Sequence, residues 1–104
     1  MIFKIDIIDR IEADFKEKSS EVIKILKKAI EKNEYLNSDR IIRCIIFLSE
    51  KNIEKLKEYI EAAIGDPRDV IYWAEYIGYD SFESAKRVRD LNKTFEESEI
   101  GVKE

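Results

Sequence analysis

The chain has 104 residues, 44% of them hydrophobic and 40% charged, with a formal charge of −4 and no histidine. That length makes one domain with one modest core, and the apolar fraction is too high for a disordered chain. Three Gly and one Pro supply too few tight turns for a many-stranded β fold, and the negative charge does not favour a nucleic-acid partner.

Ile outnumbers Leu 18 to 5, although Leu is the better helix former. Coding bias in an AT-rich genome is one explanation of that ratio, and on that ground a bacterial source is expected. The single cysteine, Cys44, allows no intrachain disulfide and suits a reducing compartment. The opening Met-Ile-Phe-Lys-Ile-Asp-Ile-Ile-Asp-Arg is interrupted by Lys4, Asp6 and Asp9, unlike a signal peptide, and no stretch reaches the roughly 20 apolar residues of a membrane span. A cytoplasmic protein without membrane association is expected.

Residues 1–18 carry two competing patterns. Phe3, Ile5 and Ile7 alternate with Lys4 and Asp6 as a strand would, whereas Ile8, Ile11 and Phe15 keep helical spacing. Since no partner strand is evident, the reading is a helix from about Asp6. Residues 20–33 form a second helix, capped by Ser19 or Ser20, with Val22, Ile23, Leu26, Ala29 and Ile30 inward and lysines outward. The two segments also fit one bent helix.

Asn37 and Ser38 open the next helix, about residues 39–49. From Ile41 to Leu48 Arg43 is the only charge, so this helix is apolar on nearly every side and is read as the central one. A buried strand is the rival reading. Asn52 caps a helix over 53–64, with Ile53, Leu56, Ile60, Ala63 and Ile64 inward, and Gly65 suits a left-handed terminus. Asp66-Pro67-Arg68-Asp69 is the strongest local signal: an N-cap, a proline at the first helical position and an acidic third residue. This helix is expected to reach Ile77. Asp80-Ser81-Phe82-Glu83 opens a last one through about Leu91, with Phe82, Ala85, Val88 and Leu91 apolar. The expected fold is all-α, a compact bundle of five or six short helices in a single domain over 1–95, with a frayed tail over 96–104.

No pattern carries catalytic or cofactor chemistry. Without histidine there is no imidazole base, no Ser-His or Cys-His nucleophile pair and no His-containing metal site. Cys44 lies in the most apolar run and reads as a core residue. The many carboxylates read as a solvated acidic surface; an enzyme using them with a divalent metal is the least favoured function.

Two surfaces merit attention. Tyr72, Tyr76 and Tyr79 recur at i, i+4 and i+7, offset from the Val70, Trp73, Ala74 and Ile77 face, with Arg68 and Glu75 able to rim them. Tyrosines that simply cover the core are the ordinary outcome; a half-buried partner interface is the functional one. Lys86, Arg87, Arg89 and Lys93 make the one basic cluster, a phosphate-binding helix if not paired with the acidic stretch before it. The leading expectation is a non-enzymatic protein-interaction module that self-associates as a homodimer or binds a basic protein partner. A nucleic-acid-associated protein using the 86–93 helix is the alternative.

Overall fold

Ile7, Ile11 and Phe15 recur one turn apart, and their burial decides the first segment as helix α1, Ile5–Phe15. The strand-like alternation loses because a helix turns Ile5 outward, where it is 77% exposed. The computed structural model describes residues 3–77 and 85–99, with five α-helices among them. A 3-10 turn at Lys16–Lys18, entered through positive φ at Lys16, separates α1 from α2, Ser19–Lys32. The two are therefore distinct helices. Neither serine caps α2: Lys18 stands at the cap, and the Ser19 hydroxyl donates back to the Lys16 carbonyl at 2.5 Å. Val22, Leu26 and Ile30 form the buried stripe of α2.

A 3-10 turn at Glu34–Leu36 leads into α3, Asp39–Ser49, where the Ser38 hydroxyl accepts from the Ile41 amide at 3.3 Å. Helix α3 is the centre of the bundle. Ile41, Ile42, Arg43, Cys44, Ile45 and Ile46 are all buried, and α3 packs on α1, α4 and α5. Its end turns through positive φ at Glu50 and Lys51. The Asn52 side chain then accepts from Lys55 N at 2.9 Å and opens α4, Ile53–Gly65.

Gly65 is not in the left-handed region. Helix α4 runs up to it, and the break falls on Asp66, extended at φ −160°, whose side chain accepts from the Arg68 amide to cap α5, Pro67–Glu75. One residue ends a helix and caps the next, so the glycine's freedom is not needed for the corner.

Beyond Glu75 the helical expectation fails. Tyr76–Ile77 is a short strand, β1, antiparallel to β2, Lys86–Arg87, with Tyr76 opposite Arg87 and Ile77 opposite Lys86. Residues 85–91 are not a helix. The amides of Val88 and Arg89 donate to the Glu75 carbonyl at 2.8 and 3.4 Å, and the Leu91 amide donates to the Glu75 carboxylate. A tertiary acceptor takes the donors that a helix would have used on itself. Val88 and Leu91 are nonetheless buried, as their spacing suggested. The start expected at 80–83 lies outside the described residues. Within the segment expected to fray, Ser98 is buried and Glu99 bridges to Arg89. Among the described residues no helix is long and apolar enough to cross a membrane.

A Cβ added at Gly65 meets nothing within 4 Å. Gly65→Ala should therefore stabilise the fold by about 0.4–1 kcal/mol, because it narrows the unfolded ensemble without straining the native one. Urea unfolding measures this, and a loss of stability would contradict the assigned helix end.

Candidate functional site

Helix α5 determines what its flanks can present. Its register puts Val70 and Ala74 in the core, and Glu75 follows them inward to complete burial. Glu75 does not rim the tyrosines. Its carboxylate accepts from Arg40 Nε at 2.9 Å and Arg40 Nη2 at 2.7 Å, from Arg87 Nε at 3.1 Å and Nη2 at 2.9 Å, and from the Leu91 amide at 3.0 Å. Burial alone pushes Glu75 up, but the bonds from Arg40, the Leu91 amide and Arg87 outweigh it, so its pKa lies below the usual 4.5. Arg40 is shifted upward by the same contact with Glu75.

A second carboxylate does the same work at the other end of the C-terminal segment. Buried Arg43 donates from Nε to Asp6 at 2.9 Å and from Nη2 at 3.0 Å, and its Nη1 reaches the carbonyls of Leu91 and Asn92. The Phe95 amide closes on Asp6 at 3.1 Å. Burial opposes ionisation of Asp6 too, yet the bonds from Arg43 and Phe95 bring its pKa below 3.8. Residues 85–99 are thus fastened to α1, α3 and α5 largely by charged side chains.

These ion pairs redistribute the basic cluster. Arg87 is engaged by Glu75 and Asp90. Arg89 lies over the Phe47 ring at 4.2 Å, donates to the Ala74 carbonyl and pairs with Glu99. Only Lys86 and Lys93 of the four are exposed, and residues 86–93 do not form the helix that the phosphate-binding reading required. Cys44 is buried, and burial pushes its thiol up to about 12, so it is held as the neutral thiol.

The tyrosine face survives in altered form. Tyr72 lies on α5 and Tyr76 on β1, both half-buried, with ring centroids 5.1 Å apart and planes inclined by 33°. They line an open hollow of about 460 Å³ with Arg40, Arg68, Ile71 and Ala85. Arg68 is exposed and grips Asp66 of its own turn with two bonds of 3.0 Å. Tyr79 lies outside the described residues. On the other side, Trp73 meets Tyr59 edge to face at 6.1 Å and packs on the core.

A larger hollow of about 800 Å³ lies between α1 and the C-terminal turn, with Lys4, Asp9, Asp39, Lys93, Glu96 and Glu97 around the Asp6–Arg43 pair. Its charges are of both signs, and among the described residues no three His, Cys, Asp or Glu side chains converge as a metal-binding set.

Sequence reasoning missed Arg40, Arg43 and Asp6 as partners and misplaced Glu75. One signal was present: a charge inside an apolar run, as at Arg43, is seldom buried without a counter-charge. Its partner is 37 residues away, and nothing in the sequence points to it. No family model matches the chain, and neither a curated protein nor a solved structure matches it.

Glu75→Ala removes the partner of the part-exposed Arg40 and leaves the buried Leu91 amide without its acceptor, while Arg87 keeps Asp90; it should cost about 1–3 kcal/mol, read as a lower urea midpoint. Both carboxylates have folded pKa values below their unfolded ones, so each stabilises the fold fully above its ordinary value and loses that contribution as pH falls through the depressed one. Stability should decline from roughly pH 4.5 downward, with a shallower decline in Glu75→Gln than in the wild type.

Proposed function

We propose that this chain is a small non-enzymatic interaction module, and that it self-associates through the face formed by Ile71, Tyr72 and Tyr76. The observation that carries the reading is the pair of half-buried tyrosines whose tilted rings touch at the wall of an open hollow. A tyrosine at a partly buried edge combines a large apolar ring with a polar tip, which is the balance found at protein interfaces.

The charges around the face support a second copy as occupant. Exposed Arg68 pairs with Asp66, Asp69 is exposed one residue further on, and Arg40 is part-exposed above the buried Glu75. A face with both signs side by side is self-complementary, as a two-fold contact requires. A basic protein partner, suggested by the overall charge of −4, is the second arrangement of the same module. The nucleic-acid reading now rests on Lys86 and Lys93, since Arg87 and Arg89 are engaged within the fold. Two lysines give a weak phosphate contact.

Tyr76→Ala removes the ring and keeps the backbone pairing of β1 with β2. It should raise the dimer dissociation constant roughly tenfold or more, while circular dichroism stays unchanged. Light scattering over a dilution series reads this. A wild-type protein that stays monomeric at every concentration would sink the self-association reading.

A further inference from the structure

A separate groove, remote in chemistry from the tyrosine face, runs between α2 and α4. Its floor is Ile25, Ala29, Ile60 and Ile64, and Lys28, Lys32 and Lys57 stand along it, with Glu61 as the one acidic residue. Ile60 belongs to the buried core, and Ile25, Ala29 and Ile64 are only partly covered. Where both helices finish, the exposed Tyr35 donates its hydroxyl to the Ile64 carbonyl at 2.6 Å and ties the two together. The hollow encloses about 330 Å³.

The origin of the groove is visible in the pattern of α2. Val22, Leu26 and Ile30 face the core, leaving Ile25 and Ala29 on the flank toward α4. Lysines at 28 and 32 lie one turn apart along that flank, and Lys57 faces them from α4. The result is a concave apolar strip bordered by positive charge, on a chain whose total charge is −4.

We propose that this groove docks an acidic amphipathic helix of a protein partner, with apolar side chains on the isoleucine floor and carboxylates toward the three lysines. Each feature selects the occupant. An apolar floor asks for apolar side chains, which a nucleic acid would not supply. Concavity fits a cylinder, whereas a bilayer presents a plane. Lys28 and Lys32, with Lys57 held loosely by Glu54 at 3.9 Å and Glu61 the one carboxylate lining the groove, ask for negative flanks. The strip from Ile25 to Lys32 matches about two turns of a docked helix, read as apolar anchors at i, i+3 or i+4, and i+7.

The test is a titration of the ¹⁵N-labelled protein with a synthetic helix carrying leucine at those anchor positions and glutamate elsewhere. Controls are the same helix with lysine for glutamate and a scrambled glutamate version. Shifts should concentrate at residues 25–33 and 57–64, with the lysine helix and the scrambled helix silent. The triple variant Lys28→Glu, Lys32→Glu, Lys57→Glu, all on exposed side chains, should keep its circular dichroism and weaken binding by on the order of tenfold or more. Raised salt should weaken binding of the wild type and leave the variant nearly indifferent. No shifts in the groove at millimolar peptide, or equal binding of the lysine helix, overturns the proposal. Capture on phosphatidylserine vesicles without any response to the acidic helix also overturns it and reassigns the groove to a membrane surface. Tyr76→Ala should bind the helix like the wild type, so failure here and failure of self-association are separate results.

Discussion

A fully buried carboxylate, Glu75, organises the second half of this protein. Taking a carboxylate out of water costs several kcal/mol, and mutual attraction repays it only where the geometry is good and the remaining lone pairs are occupied. Here Arg40 comes from the central helix, Arg87 from the returning strand, and the Leu91 amide from the turn beyond. Three separate parts of the chain are held to one side chain. The gain is specificity of placement more than raw stability, since a well-packed apolar side chain would not choose between these neighbours.

Asp6 and Arg43 extend the same logic to the opposite end of the segment. Arg43 is the one charge in the most apolar run of the chain, and it is buried because Asp6 and two carbonyls of the C-terminal turn complete its shell. Arg89 adds a ring contact with Phe47, and Arg10 one with Phe95 at 4.6 Å. Of the apolar residues over 85–99, Val88 and Leu91 lie inside and Phe95 packs on the core, while the charged bonds fasten the segment at both ends. The position of the segment therefore depends on charged hydrogen bonds as well as packing, and the backbone follows the acceptors instead of its own helical periodicity.

The surfaces with functional interest flank this framework. Tyr72 and Tyr76 stand on either side of Glu75, so the residue that anchors the C-terminal segment also fixes the end of α5 and the angle at which the second ring leaves it. The lysine-bordered groove lies between α2 and α4, on elements packed through their apolar stripes and joined at one end by the Tyr35 hydroxyl. One face is tied to the ionic seam and the other is independent of it.

Residues at helical spacing with local caps could be read directly. The five helices, the inward stripes of α2 and α4, the caps Ser38, Asn52 and Asp66, and the burial of α3 with Cys44 all follow from interactions within a few residues or from the count of apolar faces. The end of α5 could not be read this way, nor could the strand pair, because Tyr76–Ile77 and residues 85–91 each satisfy a helical pattern by themselves. What overrides it is the set of acceptors on Glu75, which act only once α3 and α5 have brought Arg40 alongside. The same holds for the site: the tyrosines were legible as an amphipathic stripe, and pairing of the basic cluster with the acidic stretch before it was the ordinary reading, but the inward turn of Glu75 and the particular partners of Arg87 and Arg89 were not. Local sequence determines where a helix can form and which side is apolar. Only the tertiary structure decides which charges are spent inside, since their partners lie far along the chain.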